Sequence, residues 1–179
     1  MLLSLHRHDD GVETQDGLRV VYDVVGNRAF FGAASVAGPA LVFELHEGEA
    51  PGALLCARVE LDAAIDWLVR CDRVDFPPGG VAYLHTHPGP GIRCLLEGEI
   101  RIETEGKTAT YRPYEAWFER GPDPVLAAAS PTRKTAFVRV MLLPREWEGK
   151  RTIRYVDPRD AEKPKTQRAT ILLERPLAL

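Results

Sequence analysis

The chain is cut into short segments. Runs of β-branched, aromatic and aliphatic residues recur at close spacing, and glycine or proline punctuates most of the gaps. Such runs read as strands, and the breakers between them read as turns. Strand-like segments fall at 17–25, 41–46, 53–61, 69–76, 92–96, 99–104, 107–111, 125–129, 135–143, 151–156 and 167–174. Residues 62–68 read as a short helix capped by Asp62 or as extended chain, and 29–40 carry no clear signal. No helical period is sustained anywhere. The fold class expected is all-β, a sandwich or barrel.

With 179 residues the chain is long enough for one domain with a substantial core. Residues 1–16 are polar and read as a tail, leaving 17–179 as the folded domain. Hydrophobic residues make up 45%, which fits a globular protein rather than a disordered one. The net charge of −3 is spread along the chain, which argues against a nucleic-acid groove or a polybasic membrane patch. No segment approaches the roughly 20 apolar residues of a membrane span. The first apolar run is too short for a signal peptide, so a cytoplasmic location is expected. Cys56, Cys71 and Cys94 lack CxxC spacing and read as buried, reduced thiols.

Chemistry concentrates between Pro77-Pro78-Gly79-Gly80 and Glu97-Gly98-Glu99. His85 and His87 are two apart, so on a strand both imidazoles face one side and can share a metal ion. Neutral imidazole suits iron, zinc and nickel. Ile92–Leu96 reads as a buried strand containing one charge, Arg93. Arg93 shares parity with Gly91; if that side is interior, the guanidinium needs a partner there. Glu119 or an anionic ligand held bidentately would serve. Tyr83 shares parity with the histidines and Trp117 with Glu119, which makes both aromatics candidates for a pocket wall.

The stretch Gly79, His85-Thr86-His87, Gly98 resembles the first motif of the cupin family, which is Gly, five residues, His-x-His, three or four residues, Glu, six residues, Gly. Gly91 stands where the Glu is expected. The second motif, Pro-x-Gly-x-x-His, is matched by Pro113-Tyr114-Glu115-Ala116-Trp117-Phe118, with Phe118 in place of the histidine. A one-residue bulge would bring Glu119 to that place, with Asp123 in support. The resemblance covers about 69–143. It implies a double-stranded β-barrel, or jelly roll, with extra N- and C-terminal strands. It also implies a homodimer, for which 17–25 and 167–175 are candidate exchanged strands. For the site it implies a divalent transition metal (Fe, Zn, Ni or Mn) on His85 and His87, with Glu119 the nearest group able to serve as third ligand. Arg93 departs from the family, and with Tyr83 and Trp117 it is a candidate to hold a small, anionic organic ligand. Three functions follow as expectations: a metal-dependent enzyme of dioxygenase, isomerase or lyase type, a metal-free ligand-binding or sensor barrel, and a barrel whose pocket is filled by its own side chains.

Overall fold

A computed structural model describes residues 1–178. The N-terminal part forms β1 (Leu2–His8), β2 (Val12–Thr14), β3 (Arg19–Asp23), β4 (Arg28–Phe31), β5 (Ala34–Val36), β6 (Ala40–His46) and β7 (Leu55–Arg58). The remainder forms β8 (Trp67–Phe76), β9 (Val81–Thr86), β10 (Gly91–Glu97), β11 (Ile100–Thr104), β12 (Lys107–Tyr111), β13 (Ala116–Glu119), β14 (Val125–Ala129), β15 (Thr135–Pro144), β16 (Arg154–Tyr155) and β17 (Arg168–Leu177). Residues 62–66 form no helix. Among the described residues no helix is long and apolar enough to cross a membrane.

The strand pairing of the second part is nested. β8 pairs with β15, β9 with β14, β10 with β13, and β11 with β12, all antiparallel. This is one long hairpin folded over on itself, which is the connectivity of a jelly roll. It yields two sheets, β13-β10-β15-β8-β17 and β12-β11-β14-β9-β16. Their facing sides enclose a core of Val74, Phe76, Leu95, Ile102, Trp117 and Phe137.

A third sheet, β4-β3-β6-β1-β7, covers the outer side of the first of these sheets. Leu3, Leu5, Tyr22, Leu41 and Phe43 pack there against Cys71, Ile92, Cys94, Val138 and Val140. The middle sheet is therefore buried on both faces. This is why Ala136–Leu143 reads as an unbroken apolar run apart from one arginine.

Two expectations are corrected here. Residues 1–16 are not a tail, because β1 is an inner strand of the third sheet and its Leu3, Ser4 and Leu5 are buried. Cys71 and Cys94 are buried free thiols, but Cys56 lies exposed on β7. In this chain β3 pairs with β4 and β6, and β17 with β8.

Candidate functional site

The face of the middle sheet that looks into the barrel carries a transverse row of residues set by register: Trp117, Arg93, Arg139, Asp72 and Ile171. Two arginines directly opposite each other repel, so each needs its own carboxylate. Arg139 Nε and Nη2 both donate to Asp72 Oδ2, at 2.9 and 2.7 Å. Arg93 Nη2 lies 2.7 Å from Glu119 Oε2, and Arg93 Nη1 donates to the Gly91 carbonyl at 2.6 Å. Arg93 is 1% exposed. Burial pulls its pKa down to about 10, with Glu119 resisting, so it stays cationic at neutral pH.

Glu119 reaches the cavity by plain alternation, with no bulge in the pairing of β13 with β10. It stands opposite Gly91 in the register. Trp117, on the same face, donates its indole N–H to Glu119 Oε1 at 2.8 Å. Phe118 points the other way and packs in the core beneath the third sheet. The bulge that places the site is in β9 instead. His85 pairs with Val125 and Ala82 with Ala127, so β9 spends one extra residue between them. That shift breaks the parity that links Tyr83 to the histidines. Tyr83 does not line the cavity; its ring carries the Lys163 ammonium at 4.3 Å.

The Tyr83 carbonyl nonetheless acts on the site. It accepts from His85 Nδ1 at 2.6 Å, which makes His85 Nε2 the accepting nitrogen of that ring. His87 Nε2 lies 3.2 Å from it. Both rings are 4% exposed. Burial holds the His85 pKa below the ordinary value. His87 is held well below, by burial and then by Arg139 and Arg93, while the adjacent Thr152 backbone resists slightly.

These groups line a cavity of about 370 Å³. Apolar side chains complete the lining, Val74, Phe76, Trp117 and Phe137 from the middle sheet and Ile102 and Val125 from the sheet of β9. Lys150, Arg151 and Lys165 line it as well, and all three are exposed, so they mark its mouth. In charge the lining is lopsided: Arg70, Arg93, Arg139, Lys150, Arg151 and Lys165 against Asp72 and Glu119.

The donor set was tested against a divalent metal. His87 Nε2 lies 3.9 Å from Glu119 Oε2, so the three candidate ligands do converge. Two guanidinium groups crowd the same atoms. Arg93 Nη2 holds Glu119 Oε2, and Arg139 Nη1 faces His87 Nε2 at 3.5 Å. A dication there would lie against two buried cations. Among the described residues no group of three or more His, Cys, Asp or Glu is arranged to hold a metal ion. The residues as placed do not fit the metal that the sequence led us to expect.

Arg139 was not singled out in the sequence, although a lone charge inside an apolar run marks it; Asp72 shares β8 with Arg70, Arg73 and Asp75 and has no such mark. Lys150 and Lys165 sit in loop-like sequence, Arg151 and Gln167 at the first positions of strand-like segments, and none carries such a signal.

No protein-family model and no curated protein matches the chain. Solved structures resemble parts of it. An RmlC-like cupin from Shewanella frigidimarina is 19% identical with a TM-score of 0.40, over 44% of this chain and 68% of that one. A cupin superfamily protein from Desulfitobacterium hafniense is 14% identical with a TM-score of 0.37, over 41% and 68%. The polyketide cyclase RemF from Streptomyces resistomycificus is 21% identical with a TM-score of 0.41, over 54% and 64%. The nested pairing of β8 to β15 gives this chain a jelly-roll fold, with His85 on β9 and His87 just beyond it turned into the cavity.

Proposed function

We propose that the protein binds a small organic anion in the barrel cavity without a metal ion. The observation that carries this reading is the lining charge: Arg93, Arg139 and Arg70 are paired with Glu119, Asp72 and Glu174, while Lys150, Arg151 and Lys165 face no lining carboxylate and lie beside apolar side chains. The apolar body of a ligand would lie against Trp117 and Phe137. The anionic group would be drawn in by Lys150, Arg151 and Lys165 at the mouth, where no carboxylate lines the cavity. Where the bound anion is also a substrate, His85 Nε2 is the group suited to take a proton from it. Catalysis would then be of the isomerase or lyase type.

Calorimetry with matched pairs tests this, using benzoate against benzamide and phenylacetate against phenylacetamide. The carboxylates are expected to bind and the amides to bind at least about tenfold more weakly. Rising salt should narrow the gap. Arg151→Glu and Lys165→Glu should each weaken the carboxylates alone. Equal binding of amide and carboxylate, or no binding by either, defeats the proposal.

A further inference from the structure

Seven buried side-chain polar atoms among the described residues lack a hydrogen-bond partner. One is Arg19 Nε, in the third sheet. The other six belong to residues that line the cavity: Asp72 Oδ1, His87 Nδ1, Arg93 Nη2, Glu119 Oε2, and the amide nitrogen and oxygen of Gln167. Buried polar atoms are almost always paired, so a cluster of orphans around one cavity describes the polar outline of what fills it.

That outline is mixed. Arg93 Nη2 is a donor, whereas Glu119 Oε2 and Asp72 Oδ1 are acceptors. Arg93 Nη2 and Glu119 Oε2 form an ion pair at 2.7 Å but are not aligned as hydrogen-bond donor and acceptor, so each can still take a further partner. A ligand carboxylate would suit Arg93 but would be repelled by Glu119 and Asp72. A carbonyl would leave both carboxylates unmet. A hydroxyl accepts from Arg93 and donates to Glu119 through a single oxygen.

We infer that the ligand carries a hydroxyl group at the floor of the cavity, read jointly by Arg93 and Glu119, so that the ligand class is a hydroxylated organic acid. This rests on the anion reading above and narrows it. Charge supports the division of labour. The floor holds Arg93 with Glu119 and Arg139 with Asp72, two balanced pairs, while the unbalanced cations are at the mouth. The anionic group is thereby directed outward and the neutral donor inward.

The experiment is calorimetry on the wild-type chain with three pairs that differ only in a hydroxyl at graded distance from the carboxylate. They are mandelate and phenylacetate, 4-(hydroxymethyl)benzoate and 4-methylbenzoate, and 6-hydroxyhexanoate and hexanoate. The hydroxylated member of at least one pair is expected to bind about tenfold or more tightly than its partner. In Glu119→Gln, which keeps the size of the side chain, the ratio of affinities within that pair should shrink; the lost negative charge acts on both acids alike, so the ratio is the readout. Equal affinities within all three pairs overturn the inference and leave the anion reading standing. A preference that survives unchanged in Glu119→Gln also overturns it. Failure of all six acids to bind, with the amides failing too, overturns both.

Discussion

Gly91 shows how one position can redirect a site. A side chain there would run into the Val140 carbonyl oxygen and come within 2.9 Å of the Met141 Cα. The middle strands are sealed at this point, and the carboxylate facing the cavity comes instead from Glu119, across the strand pair. Gly91→Glu is therefore expected to lose stability, by about 2–4 kcal/mol in urea unfolding, rather than to create a metal ligand. A variant as stable as the wild type would mean that the backbone can open here. The same logic governs metal content. Elemental analysis of protein incubated with iron, nickel or zinc is expected to find well under one ion per chain. A stoichiometric ion, lost in the His85→Ala/His87→Ala variant, would contradict the fit argued from Arg93 and Arg139. Parity in the sequence put Trp117 with Glu119 and Arg93 with Gly91, and both pairings hold because the register of β10 with β13 is regular; the bulge expected to bring Glu119 into the site is not needed. Parity misplaced Tyr83, because the extra residue in β9 has no marker of its own in the sequence.

The elements at the two ends of the chain were the least legible. β1 alternates Leu3 and Leu5 with Ser4 and His6, which suits a strand with one covered face. The polar residues dominate when the segment is read alone, and the sheet that covers the leucines arrives from residues further along. β17 was visible as a strand, but nothing local shows what fastens it. The fastening is Arg70 on β8, which is 2% exposed. Its Nε donates to Glu174 Oε1 at 2.6 Å, and its Nη1 and Nη2 donate to the carbonyls of Lys150 and Trp147 at 2.8 and 2.6 Å. One side chain thus ties β17 and the 145–150 turn to the barrel, and with them Lys150, Gln167 and Ile171 of the cavity wall. Removing one partner of a buried pair strands the other. Arg70→Ala is expected to lower stability by about 3–5 kcal/mol. In native-state hydrogen exchange, residues 168–177 should lose protection before β10 and β15 do. Uniform loss across all three strands would show that β17 is not a separately fastened element.

The three layers place two kinds of interior in one protein. Between the third sheet and the middle sheet lies an apolar core, and between the middle sheet and the sheet of β9 lies a cavity with charged groups on one wall. The first was legible as hydrophobic runs. The second depends on pairings between residues as distant as Asp72 and Arg139, which local patterns do not encode. Burying His85 and His87 in that second interior ties folding to pH. Both rings have pKa values held below the ordinary 6.5, chiefly by burial. As pH falls below about 6.5 the unfolded chain takes up protons that these rings refuse in the folded state, so stability is fully present above that pH and declines beneath it. Each ring contributes a slope of at most about 1.4 kcal/mol per pH unit. Urea unfolding from pH 7.5 to 5 should show this decline, and working above pH 5 keeps it clear of Asp23, whose pKa is lowered from 3.8 by the Gly26 N–H and Arg28. In His85→Gln/His87→Gln the slope should fall by the share of these two rings, leaving any part owed to His6, which is also held low by burial. A bound carboxylate would favour the protonated rings, so saturating phenylacetate should flatten the wild-type slope and leave the double variant's unchanged. A wild-type slope that is already flat without ligand would mean that the two histidines accept protons inside the barrel and that water reaches them freely.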